Sequence, residues 1–187
     1  ERFDQDEQIR IIEDLKKEGL DYLIIIPSEQ KKLARVINEL HSEGIKTICV
    51  DIDIPESKRI AFIGTDNYEA GVSMGNLIAR NLEGKGKVVL STTILSHKNL
   101  QERLQGIYDV LAKYPDIQIV GEQSGVLDIR ERVNDFAKVI QKAGDFDLAV
   151  GVDSDFGTIA SLYAEKHDIT GKQFIGFDDN PENLRAI

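Results

Sequence analysis

Cysteine and excess positive charge are both scarce in this sequence, and each shortage excludes a class of protein. Cys49 is the only cysteine among the 187 residues, so no intramolecular disulfide can form. Lys and Arg total 23 against 33 Asp and Glu, which gives a formal net charge of -10. No basic stripe that could follow a nucleic-acid backbone is present, so we expect no nucleic-acid contact from this chain.

Long apolar segments are also missing. No apolar run approaches the about 20 residues that a membrane-spanning helix needs, and no signal-peptide pattern is found. We therefore expect no membrane span in this chain. A helical pattern over residues 6–17 begins almost at Glu1, which is unusual for a compact α/β domain. For that reason we expect the sequence to be a fragment or a processed form.

The motifs of cofactor sites, metal sites and catalytic nucleophiles are absent. The glycines of Gly84-Lys85-Gly86 precede a strand pattern, whereas a dinucleotide-binding fingerprint follows a strand and opens a helix. The three histidines, His41, His97 and His167, do not have the spacing of metal ligands. No serine lies in a nucleophile elbow. We therefore expect no cofactor, no metal site and no catalytic residue.

Short apolar strand patterns that each end at an aspartate are the most informative feature of the chain. The aspartates are Asp51, Asp153 and Asp178, after apolar residues 47–50, 148–152 and 174–177. Such short, continuously apolar runs are typical of parallel strands that are buried on both faces of a sheet. Ligands of these sheets bind beyond the carboxyl ends of the strands, so the three carboxylates predict a polar ligand site.

Helix and strand patterns alternate along the chain, which predicts an α/β fold with parallel strands. The series is interrupted once, where the strand at residues 60–63 runs into polar turn residues. We therefore predict a domain boundary at this point, with one lobe over residues 1–64 and a second over residues 65–187. The first lobe holds only three strands and should be incomplete. Near the end of the chain, Asn180-Pro181-Glu182 has the features of a helix start.

The predicted site residues have other interpretations that the sequence leaves open. Asp153 could cap the helix that follows it, and Arg103 could form a surface salt bridge. Alternatively, an Arg beside several carboxylates suits a polyhydroxylated ligand, because it offers planar donors next to acceptor oxygens. The segment Asp51-Ile52-Asp53 also resembles the nucleophile motif of haloacid-dehalogenase-type phosphatases, in which Asp178-Asp179 could hold Mg²⁺. Pro55 stands where that motif has Thr.

Five segments of the chain, taken together, are more specific than any of these motifs. They are residues 19–27, 63–71, 84–89, 103–106 and 174–178. In this order they resemble the type I periplasmic sugar-binding proteins, in particular the ribose-binding branch, and the related effector domains of LacI-type repressors. The resemblance covers essentially the whole chain. It implies two doubly wound parallel-sheet (Rossmann-like) lobes joined by a three-strand hinge, which would pass near Gly64 and Thr65, with a ligand bound in the cleft between the lobes.

The resemblance also implies which residues contact the ligand. The family's cleft aspartates fall on Asp51 and Asp178, and its cleft arginine falls on Arg103. Asp153 replaces the usual Asn, and Leu127 stands where a stacking aromatic is usual. The family's first strand would precede the first residue of this chain, and its last hinge crossing would follow the last residue.

The function implied by the resemblance is binding without catalysis. We expect an extracytoplasmic protein that binds a small molecule, a monosaccharide or polyol, and acts with an ABC transporter permease or a sensor kinase. A LacI-type effector domain is the alternative within the same family. Three acids beside Arg103 would repel an anionic ligand, so a neutral polyol or an amino-bearing compound is expected. We also expect that the bound ligand favours a closed arrangement of the two lobes.

Overall fold

The computed structural model describes residues 5–93, 95, 97–179 and 181. In these residues helices and strands alternate, as the sequence predicts. The elements are α1 Gln5–Glu18, β1 Tyr22–Ile25, α2 Gln30–Ser42, β2 Lys46–Val50, β3 Ala61–Ile63, α3 Asn67–Asn81, β4 Gly86–Ser91, α4 Lys98–Leu111, β5 Ile117–Gln123, α5 Ile129–Ala143, β6 Leu148–Gly151, α6 Phe156–His167 and β7 Gln173–Ile175. Asn180 and Glu182 of the predicted last helix start lie outside the described residues.

The chain divides into two compact units. Unit 1 comprises the described residues up to Asp66 together with His97–Asn99, and unit 2 comprises the others from Asn67 onward. The predicted lobe bounds of 1–64 and 65–187 follow the end of the strand at residues 60–63, where polar turn residues begin. They stay predictions, as does the hinge at Gly64 and Thr65.

Unit 1 contains a parallel three-stranded sheet in the order β1-β2-β3. The helices α1 and α2 pack on one face of it, where Leu23, Ile25 and Cys49 join the apolar side chains of both helices in one core. The strand residues that alternate with these point to the other face of the sheet. Ile24, on that face, is 70% exposed. The prediction that β2 is buried on both faces is therefore wrong in the described structure, because Ile48 and Val50 are only half-buried.

Unit 2 contains a parallel four-stranded sheet in the order β5-β4-β6-β7. One face packs against α3 and α4 through a core that includes Ile78 and Ile107, and the other packs against α5 and α6 through Phe136 and Phe156. The sheet is therefore doubly wound, as predicted, and β6 is buried along its whole length. The chain leaves β4 toward β5 and later returns to add β6 on the opposite side. The carboxyl ends of β4 and β6 consequently form a topological switch point.

No helix in the described part of the chain is both long and apolar enough to cross a membrane.

Candidate functional site

Two close-packed glycines set the position of the predicted cleft arginine in unit 2. A Cβ atom added to Gly71 of α3 would lie 2.1 Å from the carbonyl oxygen of Arg103, and one added to Gly106 of α4 would lie 2.4 Å from that of Tyr68. The backbones of α3 and α4 are thus in direct contact at this point. This contact brings Arg103, in the second turn of α4, beside Asn67, the first residue of α3.

Arg103 is buried and bound on several sides. It is 5% exposed. Its Nε donates to Oδ1 of Asn67 at 2.8 Å, and its Nη1 donates to the carbonyl oxygen of Val152 at 2.8 Å. The guanidinium also stacks on the ring of Phe177, with the central carbon 3.9 Å from the ring centroid. The surface salt bridge considered for Arg103 is therefore excluded by its burial and its partners.

Asp153 lies at the same sheet edge and pairs with a different arginine. Its two carboxylate oxygens accept hydrogen bonds from Nη1 and Nη2 of Arg132, both at 2.9 Å. Oδ1 also accepts the backbone N–H of Asp155 at 3.1 Å. Asp153 is 6% exposed, and Asp155 is the residue that immediately precedes α6. Asp153 therefore does bind a backbone N–H where α6 starts, but its main partner is Arg132.

Arg132 also connects the ends of the neighbouring strands. Its Nη2 donates to Oγ of Ser91 at 3.0 Å, and Ser91 in turn donates to Oε1 of Gln123 at 2.7 Å. The amide of Gln123 closes the loop by donating to the carbonyl oxygen of Arg132 at 2.8 Å. Together with Asp153 these residues form the Arg132 network, which joins the carboxyl ends of β4, β5 and β6 to α5. Every member is buried.

The sequence reasoning missed Arg132, although a signal for its burial is present. Arg132 comes four residues before Phe136 and eight before Ile140, so all three lie on the same stripe of α5, and that stripe faces the core. The expectation that Arg103 alone balances the acids of the site needs correction, because Arg132 neutralises Asp153.

The two other predicted aspartates share an unusual backbone conformation. Asp51 in unit 1 has a φ of 63°, and Asp178 in unit 2 has a φ of 66°. Asp is one of the few residues besides Gly that tolerate this left-handed region. Both side chains are exposed, and each follows a parallel strand of its own unit, β2 or β7. Leu127 is 52% exposed in the loop before α5.

Unit 2 therefore brings three of the predicted residues to one edge. Arg103 binds the residue that precedes Asp153 and stacks on the residue that precedes Asp178. The edge combines buried, oriented guanidinium donors with carboxylate acceptors, as recognition of several hydroxyl groups requires. The contacts described above include no pair of a nucleophilic side chain and a general base.

The structure gives little support to the phosphatase interpretation of Asp51-Ile52-Asp53. Asp53 accepts two hydrogen bonds from Arg59, one from Nε and one from Nη2, the latter at 2.7 Å. The second acid of the motif is thus engaged in an ion pair. The part of the chain that the structure describes contains no group of three His, Cys, Asp or Glu residues placed to hold a metal ion.

Comparison with known proteins identifies the family of the chain. The family profile of the periplasmic binding protein domain matches residues 1–187. The chain belongs to the periplasmic binding protein family. A xylitol-binding protein of Mycolicibacterium smegmatis is 27% identical over 177 residues, which are 94% of this chain and 51% of that protein. The ribose import binding protein RbsB of Bacillus subtilis is 24% identical over 186 residues, 98% of this chain and 59% of that protein.

Solved structures of this family resemble the chain along nearly all of its length. The solute-binding protein of an ABC transporter from Burkholderia graminis, in complex with D-arabinose, superposes with a TM-score of 0.91 at 30% identity, over 97% of this chain and 64% of that one. The fructose-binding periplasmic domain of a hybrid two-component system has a TM-score of 0.87 at 29% identity, over 96% of this chain and 60% of that one. The chain thus spans between half and two thirds of these relatives. The relatives named here are binding proteins.

Proposed function

We propose that this chain is part of an extracytoplasmic solute-binding protein or sensor domain that binds a small neutral polyhydroxylated ligand, a monosaccharide or polyol, and does not transform it. The observation that carries the proposal is the pair of buried arginines at the carboxyl edge of unit 2. Arg103 and Arg132 are fixed by hydrogen bonds beside Asp153, at the switch point where ligands of doubly wound sheets bind.

The chemistry of this edge suits hydroxyl groups. A sugar hydroxyl both donates and accepts, so a site that recognises it offers acceptors and donors together. Carboxylate oxygens and guanidinium N–H groups form charge-assisted hydrogen bonds, which are about twice as strong as neutral ones. We include Asp51, Leu127 and Asp178 among the ligand contacts of the whole protein, since each is exposed in a segment that follows a parallel strand.

The relatives support the cellular role in two forms. The RbsB relative is named for ribose import and the Burkholderia protein for an ABC transporter, whereas the fructose-binding domain belongs to a two-component system. We therefore propose an ABC transporter permease or a sensor kinase as the partner. Both roles place the protein outside the cytoplasm.

A thermal-shift screen of the full-length protein tests the ligand class. The panel contains neutral sugars and polyols (D-ribose, D-arabinose, D-fructose, D-galactose, xylitol, myo-inositol), amino sugars, polyamines and sugar phosphates. A ligand at about 100 times its Kd adds about 2.7 kcal/mol to the free energy of unfolding, so a true ligand raises the melting temperature measurably. We expect the stabilising compounds to be neutral. Stabilisation by a sugar phosphate, an amino sugar or a polyamine alone would contradict the proposal.

A further inference from the structure

The ion pair of Arg132 and Asp153 has features that stability alone does not explain. Arg132 is fully buried, and its Nε–H has no hydrogen-bond partner among the residues that the structure describes. A buried ion pair is on average no more stabilising than apolar side chains of the same volume, and an unsatisfied buried donor makes it less so. A well-packed pair of apolar residues would therefore hold α5 against β6 at least as firmly.

The bonding of Asp153 leaves room for a ligand. A carboxylate has about four acceptor positions, and in Asp153 three are used, two by Arg132 and one by the backbone of Asp155. The remaining position belongs to Oδ2, and its direction is fixed because both oxygens are held by the planar guanidinium. The side chain of Asp153 keeps 8% exposure, whereas that of Arg132 has none.

We propose that Arg132 is a specificity-determining positioning residue, which fixes the Asp153 carboxylate as an oriented acceptor and cancels its charge, so that the site selects a neutral hydroxyl over an amine. This inference rests on the proposed function. Without Arg132 the buried carboxylate would carry an uncompensated negative charge and attract a cation. With Arg132 in place the pair has no net charge, and a hydroxyl group can bind Asp153 without bringing a counter-charge into the site.

The test is a cycle of variants in the full-length protein, read out as ligand selectivity. The variants are Arg132→Met, Asp153→Asn and the double substitution, with Arg130→Met as the matched control, because Arg130 is an exposed arginine of the same helix. Calorimetry gives the Kd of the tightest neutral sugar and of the tightest amino sugar among D-ribose, D-arabinose, D-galactose, D-glucosamine and D-galactosamine. The ratio of the two Kd values is the selectivity.

Opposite shifts in the two single variants are expected. Arg132→Met should move selectivity toward the amino sugar by about tenfold or more, since it leaves a negative charge, and Asp153→Asn should move it by a similar factor toward the neutral sugar. The double variant should return to within about threefold of the wild-type ratio, because it removes both charges and the opposite shifts of the single variants cancel. Arg130→Met should leave the ratio unchanged.

A purely structural ion pair gives a different result. Stability would fall in the single variants, while the selectivity of every folded variant would stay within about threefold of wild type. That outcome overturns the proposal and leaves the proposed function intact. If Arg132→Met does not fold, Asp153→Asn alone decides between the two outcomes. A wild-type protein that binds no neutral sugar, no polyol and no amino sugar would instead overturn the proposed function, and this inference with it.

Discussion

The guanidinium of Arg103 lies over the ring of Phe177, with its central carbon 3.9 Å from the ring centroid. The ring closes one side of the arginine, while Asn67 and the carbonyl of Val152 hold its edge. Phe177 thus limits the directions in which the remaining guanidinium donors can point. It links the orientation of Arg103 to the segment that carries Asp178.

Replacing the ring of Phe177 should loosen Arg103 and weaken ligand binding. A cation–π contact of this kind contributes about 1 kcal/mol, which corresponds to about fivefold in affinity. We expect Phe177→Leu to raise the Kd of the ligand by about that factor, measured by calorimetry. Phe177→Tyr is the control, since it keeps an aromatic face and should bind within about twofold of wild type. Equal loss in both variants would show that the stacking does not matter.

The edge of unit 2 could be predicted from the sequence because strand ends and acidic residues are local features. The short apolar run before Asp153, for example, indicates both a buried strand and its end. The partner of Asp153 could not be predicted in the same way. Arg132 is distant from Asp153 in sequence. A charged residue on a helix is expected at the solvent face, and only its spacing from the apolar residues of the same helix indicates otherwise. The half-buried Ile48 of β2 is a second example, because the apolar composition of a strand does not show whether one face or both faces of its sheet are covered by helices.

The single thiol should be unreactive in the folded protein. Cys49 is fully buried in the core of unit 1, and this burial raises the pKa of its thiol. Since the thiolate is the reactive form, a raised pKa and loss of access both slow modification. We expect negligible labelling by a thiol reagent at pH 8 under native conditions and complete labelling in denaturant. Rapid native labelling would contradict the described packing of β2 against α1 and α2.

The glycine contact between α3 and α4 should support both stability and binding. In Gly106→Ala the new Cβ would meet the carbonyl oxygen of Tyr68 at 2.4 Å, so the two helices must separate. Overpacking of this kind costs about 1–3 kcal/mol of unfolding free energy, measured by denaturant titration. The affinity should also fall, because Arg103 is carried by α4. Ser73→Ala, at an exposed position of α3, is the control and should change the unfolding free energy by less than about 0.5 kcal/mol.

No phosphatase activity is expected from the full-length protein. In the proposed alternative Asp51 would attack a phosphomonoester, but its companion Asp53 is engaged by Arg59. We expect no hydrolysis of p-nitrophenyl phosphate above the buffer blank in the presence of Mg²⁺. Turnover that Asp51→Asn abolishes would overturn the non-catalytic assignment. Without turnover, the same variant should weaken binding of the ligand, since Asp51 is proposed to accept one of its hydroxyl groups.

Arg103 should matter more for binding than any exposed arginine of unit 2. Its side chain is buried, and it connects α3, the end of β6 and Phe177. Removing a charged hydrogen-bond partner from such a site costs about 2–5 kcal/mol, or about 1.5 to 3.5 decades in affinity, whereas an exposed charge contributes about 0–1 kcal/mol. We therefore expect a loss of at least about a hundredfold for Arg103→Ala and less than about threefold for Arg80→Ala, an exposed residue of α3. Calorimetry gives both values, and circular dichroism shows whether each variant is folded. A folded Arg103→Ala that binds within about fivefold of wild type would mean that the ligand does not use this edge of the sheet.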